Sequence, residues 1–152
     1  MQIDIGFGDV IIPAAQSFNY PVLIPDLPVP DILVYSLETV VAEKFHAMID
    51  LAESNSRYKD FYDVYRILSQ TKLDTNNLAD AILATFHNRK TNFKANHPVF
   101  TEGFSDNQTR QTMWKAFLRK IKHPEDLDFA VVMKTIVENL HPIYLGLGNN
   151  TN

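Results

Sequence analysis

SLETVVAEKFHAMIDLAESNSRYKDFYDVYRIL, residues 36–68, is the stretch from which the rest of the chain is read. Leu37, Val41, Met48 and Leu51 recur at three- and four-residue steps, which predicts an amphipathic helix. Ser36 suits its cap, and Glu38 suits the positive end of the helix dipole. Ser54-Asn55-Ser56 then breaks this helix from a second one, on which Asp60 shares a line with Val64 and Ile67 and Asp63 flanks the same face. Charged groups thus stand where apolar ones belong, because Lys44 falls in the middle of the first stripe and both carboxylates point inward from the second. Such groups must pair or line a cleft. One reading is a partly buried ion network of structural value only, in which Lys59 and Asp63 form an i,i+4 solvated pair worth about 0.3–0.5 kcal/mol. The other is a functional site, since charges aligned with an apolar stripe are costly and mark sites.

Upstream, Gln2 to Phe7 alternates, with Ile3, Ile5 and Phe7 on one side and Asp4 on the other, as in a half-buried strand. Gly6 and Gly8 permit a bend, after which Asp9 to Ile12 is expected to continue or pair back. Five of the eight prolines fall by residue 30; they forbid a helix and restrict Val22–Ile24 to a short edge strand or extended crossing. Ile32–Tyr35 reads as one more strand. Downstream, Asp74 caps a third helix carrying Leu78, Ile82 and Phe86, and residues 91–105 read as a loop pinned by Phe93, Val99, Phe100 and Phe104. A fourth helix is expected over about 107–122, with Met113, Trp114, Phe117, Leu118 and Ile121 as its stripe. A fifth is expected over about 125–141, started by Pro124 and ended by Pro142. The fold class is therefore α+β: a few short strands in residues 1–35, then a bundle of about five helices over 36–145, in a single domain 1–145 with a frayed tail 146–152.

With 152 residues, a chain buries roughly 68–70% of its unfolded surface, enough for one core. Hydrophobic content of 45%, charged content of 21% and no low-complexity tract indicate a globular chain. The absence of an uninterrupted apolar run of membrane length, or of a leader-like start, predicts a cytoplasmic protein with no membrane partner. No cysteine is present, so disulfides and thiolate metal sites are excluded. The five histidines lack ligand spacing, and His46 is expected on a helix surface. No G-x-S-x-G or P-loop pattern supports a hydrolase or a P-loop enzyme. The net charge of −4 conceals an asymmetry: residues 1–63 hold ten acids and three bases, whereas Arg89, Lys90, Lys94, Arg110, Lys115, Arg119, Lys120 and Lys122 face only Glu102 and Asp106 between residues 89 and 122. That run reads either as a solvated helix face or as a phosphate-facing surface.

AEKFHA at 42–47, followed by NSRYKDFYDVY at 55–65, resembles the AbiEii/AbiGii toxin family of nucleotidyltransferases, in which an AEK helix precedes an R-x-K-D-x-x-D helix. QIDIGFGDV at 2–10 resembles that family's strand just upstream, and order and spacing fit from residue 2 to about 140. The resemblance implies a remnant of a nucleotidyltransferase sheet, with Mg2+ as cofactor and Asp4 as a metal-binding carboxylate. It places Lys44, Arg57 and Lys59 against the triphosphate of an NTP and has Asp60 and Asp63 position those lysines or the base. It implies an RNA acceptor, for which Arg89, Lys90, Arg110, Lys115, Arg119 and Lys122 are candidate contacts, and an antitoxin partner in a toxin–antitoxin or abortive-infection system.

Family members carry a Gly-Gly/Ser loop and an Asp-x-Asp pair upstream of that strand, and this sequence shows neither. Asp126 and Asp128 form a D-x-D, but at an expected helix start, where capping explains them. One carboxylate cannot hold two magnesium ions, so the chain is expected to be a partial nucleotidyltransferase, inactive alone. Strand 2–7 is expected to offer unpaired backbone groups and to promote self-association. The alternative is a non-catalytic helical module that binds a partner protein, nucleotide or RNA.

Overall fold

A computed structural model describes residues 8–22 and 24–150 of the chain. Its order is a β-hairpin followed by helices: β1 (Gln16–Asn19), β2 (Asp31–Val34), α1 (Leu37–Leu51), α2 (Tyr58–Gln70), α3 (Thr75–Asn88), α4 (Glu102–Ser105), α5 (Gln108–Lys120) and α6 (Phe129–Asn150). The α+β class expected from the sequence is the class observed, with the short α4 added inside the segment expected to be loop.

Capping fixes where the helices begin. The Ser36 hydroxyl accepts from the Thr39 amide at 3.1 Å, Asp74 accepts from Asn77 at 2.9 Å and Asn107 accepts from Arg110 at 3.1 Å. Helix α1 stops at Ala52, whose φ of 44° turns the chain while its amide still donates to the Met48 carbonyl. The inner face of α1 (Val41, Ala42, Phe45, Met48 and Ile49) is buried against α3, and α2 packs Phe61 and Val64 against α6. Between these layers lies an aromatic centre of Phe45, Phe61, Phe86, Trp114, Phe129 and Tyr144, each at most 1% exposed. Its two polar tips are satisfied, because Trp114 Nε1 donates to the Leu127 carbonyl at 2.6 Å and the Tyr144 hydroxyl accepts from the Lys94 amide at 2.7 Å.

Several expectations are corrected. The strand expected over 2–7, with Asp4 and the self-association assigned to it, falls outside the described residues. Asp9–Ile12 is not a strand: Ile12 is tied to the first turn of α1, its carbonyl accepting from Thr39 Oγ1 at 2.7 Å. Val22 and Ile24 lie in the hairpin loop, and β2 pairs with β1, in register Gln16–Val34 through Asn19–Asp31, a partner the sequence does not announce. Pro142 does not end the last helix. Helix α6 starts at Phe129 and runs through Pro142 to Asn150, so that Gly146 to Asn150, expected as a loose tail, are helical. Proline removes one amide donor, but its neighbours Leu140 and Tyr144 are buried, and that packing holds the helix on course. A Cβ on Gly148 would stand 3.1 Å from Phe93 Cβ, so glycine permits a close approach there.

Candidate functional site

The first turn of α2 is laid against the middle of α1, and the inward charges meet there. Lys44 Nζ lies 2.8 Å from Asp60 Oδ1 and 2.8 Å from Asp63 Oδ2. Arg57 Nε stands 2.8 Å from Asp60 Oδ2, and Lys59 Nζ 2.6 Å from Asp63 Oδ2. The shared placement expected from the apolar stripes is therefore observed, and both carboxylates are engaged twice. Asp60 is 3% exposed as a residue. Among the described residues its Oδ2 receives no hydrogen bond of good geometry, and the nearby Arg57 meets that buried oxygen by charge.

Burial opposes charge on both Lys44 and Asp63, and in both cases the partners prevail. Burial alone would lower the Lys44 pKa, but hydrogen bonds and attraction from Asp60 and Asp63 raise it above its usual 10.5. Burial would likewise push the Asp63 carboxyl up, and Lys44 and Lys59 bring it below 3.8. Both groups stay ionised across the physiological range. Three cations on two carboxylates leave one net positive charge, and the two cations nearest solvent are Arg57 and Lys59, with side chains 59% and 73% exposed.

Beside this cluster a cleft of about 530 Å³ is lined by Lys44, Arg57 and Arg89 together with Asp9, Glu43 and Asp50. Arg89 closes one end by pairing with Asp9 at 2.7 Å and Glu43 at 3.4 Å. His46, expected on a helix surface, is instead only 9% exposed and bonds through Nε2 to Thr91 Oγ1 at 2.8 Å. Its imidazole is edge-on to Phe86, and burial lowers its pKa below 6.5 against the opposing pull of Asp50 and Glu43.

The six residues expected as RNA contacts meet different surroundings. Arg89 is paired with acids, and Lys90 sits at the end of α3. Lys115, Arg119 and Lys122 are exposed on α5 and just beyond it. Arg110 is removed from the surface altogether, at 7% exposed. It donates to the carbonyls of Ala52, Glu53 and Asn55 at 3.3, 2.6 and 3.2 Å and lies 3.9 Å over the Phe104 ring. The sequence carries a signal for this, because Arg110 precedes the buried Trp114 and Leu118 by steps of four on the inner line of α5. Arg89 likewise falls at a helical step, four and three residues after the buried Thr85 and Phe86, but its partner Asp9, eighty residues away, is not announced by any local pattern.

A divalent cation does not fit the charge cluster, because Asp60 and Asp63 already face Lys44, Arg57 and Lys59. Among the described residues no group of three His, Cys, Asp or Glu is placed to hold a metal. Asp128 of the D-x-D serves as a cap, accepting from the Ala130 amide at 2.9 Å. No helix among the described residues is long and apolar enough to cross a membrane. Compared with protein-family models, residues 1–135 match the one described as Nucleotidyl transferase AbiEii toxin, Type IV TA system. No curated protein and no solved structure matches the chain.

Proposed function

The chain belongs to the AbiEii nucleotidyl transferase toxin family of type IV toxin–antitoxin systems, and on that premise we propose that the Lys44 cluster receives the triphosphate of an NTP whose nucleotidyl group is transferred to an RNA acceptor. In such a transfer an acceptor hydroxyl oxygen attacks the α-phosphorus, its proton is lost, and the bond to the bridging oxygen breaks to release pyrophosphate. The observation that carries the reading is the sharing of two carboxylates by three cations. Asp60 and Asp63 hold Lys44 in place, while Arg57 and Lys59 reach solvent and can exchange a carboxylate for a phosphate oxygen. Asp60 and Asp63 are then positioning residues. The family implies a divalent metal and an antitoxin counterpart. Asp4, the carboxylate matched by resemblance to a metal ligand, lies outside the described residues.

A second reading, binding without chemistry, is favoured by the pairing of both carboxylates with cations, and among the described residues no group of three metal-ligating side chains stands beside them. The two readings combine into one expectation. Residues 1–152 by themselves bind NTP but transfer nothing to RNA, with magnesium or manganese present. Purified chain incubated with each labelled NTP and total RNA tests this. Transfer that vanished on Asp4→Asn would show that the chain completes a two-metal site with ligands beyond this cluster.

A further inference from the structure

A second cleft meets the same α1–α2 junction and shares no lining residue with the one beside Lys44. Its volume is about 660 Å³, and Arg110, Tyr58, Ser54, Ser56 and Thr109 stand in its walls. Arg110 is the unusual member. It is a guanidinium withdrawn from water, yet among the described residues no carboxylate forms an ion pair with it. Its three carbonyl acceptors belong to the end of α1 and the turn after it, where the helix dipole supplies only about half a negative charge. Glu53 lines the cleft too, but meets Arg110 through its carbonyl rather than its carboxylate. Three of five N–H donors are used in this way. Tyr58 and Arg110 line this cleft together, and burial raises the Tyr58 phenol pKa against the opposing pull of the Arg110 charge. The hydroxyls of Ser54, Ser56 and Thr109 are exposed and make no hydrogen bond among the described residues.

A buried cation lacking a counterion, in a cleft edged with uncommitted hydroxyls, matches a small oxyanion in both charge and donors. We propose that this cleft binds a phosphate-type dianion, with Arg110 supplying the charge and Tyr58, Ser56 and Thr109 supplying hydroxyl donors. The same dianion is presented by free inorganic phosphate and by the terminal phosphate of a nucleotide. The site does not depend on the NTP reading of the Lys44 cluster, with which it shares only the turn between α1 and α2.

The test is a titration of the full chain with inorganic phosphate, with AMP and with adenosine as the uncharged control, followed at backbone amides by NMR. Saturable shifts are expected at Ser56, Tyr58, Thr109 and Arg110 with phosphate and AMP but not with adenosine. Tighter binding of AMP would point to a nucleotide phosphate, and equal binding to the free ion; either supports the site. Because Arg110 also ties down the end of α1, the informative variants are Tyr58→Phe and Thr109→Val, which together are expected to weaken binding about tenfold. Lys44→Ala is expected to leave it unchanged. The proposal is overturned by shifts confined to Lys44, Arg57 and Lys59, by the absence of saturable shifts, or by unaltered affinity in the hydroxyl variants.

Discussion

The cations of the α1–α2 junction and those of α5 are alike in kind and end in opposite circumstances. Lys44, Arg57 and Lys59 converge on two carboxylates within 2.8 Å. Lys115, Arg119, Lys120 and Lys122 are exposed and, among the described residues, take part in no ion pair. In the first group Lys44 and its two acids are partly desolvated, so their attraction acts through a lower effective dielectric, while Arg57 and Lys59 stand at the solvent edge. The second is hydrated and is screened over about 8–10 Å at ordinary ionic strength. Positive charge alone therefore does not mark the site. What distinguishes the junction is that the acids between its cations are pinned by helix packing.

The largest expected effect comes from removing the most buried acid. Asp60→Ala leaves Lys44 with Asp63 alone and removes the acid that Arg57 faces, and is expected to cost about 2–3 kcal/mol in urea unfolding. A loss below about 1 kcal/mol would place the cluster with ordinary surface pairs. Next is the arginine that the sequence groups with the surface cations. Arg110→Ala strips three carbonyls of a charged donor and is expected to cost about 2–3 kcal/mol, whereas Arg119→Ala should change stability by less than about 0.5 kcal/mol. Equal losses would erase the contrast between the two groups.

A smaller effect is expected from acid. His46 and His97 are buried, and burial lowers both below 6.5; the positive charge of Lys94 adds to the effect at His97. A depressed histidine pKa means that the unfolded chain takes up protons first, so this contribution is complete above 6.5 and is lost as pH falls through the lower folded value. Asp63, also depressed, contributes fully above 3.8 and loses its share as pH falls further. Lys44, raised above 10.5, loses its share only as pH climbs beyond that value. Stability is thus expected to be flat from about pH 7 to 10, to decline in two stages on acidification, and to lose the first stage in His46→Asn combined with His97→Asn. A single-stage acid transition in both proteins would contradict this.

The legible parts of the sequence are those governed by local rules. Helical period places Lys44, Asp60 and Asp63 inward, and Ser36 and Asp74 are cap residues recognisable from their type and their position ahead of an apolar stripe. Long-range pairing is hidden. β1 is not legible because its four residues, QSFN, carry little strand signal and are held by a partner across a proline-rich loop. The continuation of α6 through Pro142 is hidden for a related reason, since a local rule for proline is outweighed by burial of Leu140 and Tyr144. The basic run from Arg89 to Lys122 looks like one feature in the sequence, and folding separates it into an acid-paired arginine, a buried arginine and a solvated helix end.

The central claim is that the junction, and not the α5 surface, receives the triphosphate. The most direct measurement is an NTP titration followed at the backbone amides, repeated with Lys44→Ala, Lys59→Ala and Asp63→Asn. Saturable shifts are expected at Lys44, Arg57 and Lys59, weakened by either lysine substitution and unchanged or strengthened by Asp63→Asn, which removes a competing anion. Shifts centred on Lys115, Arg119 and Lys122 that persist in Lys44→Ala would contradict the account.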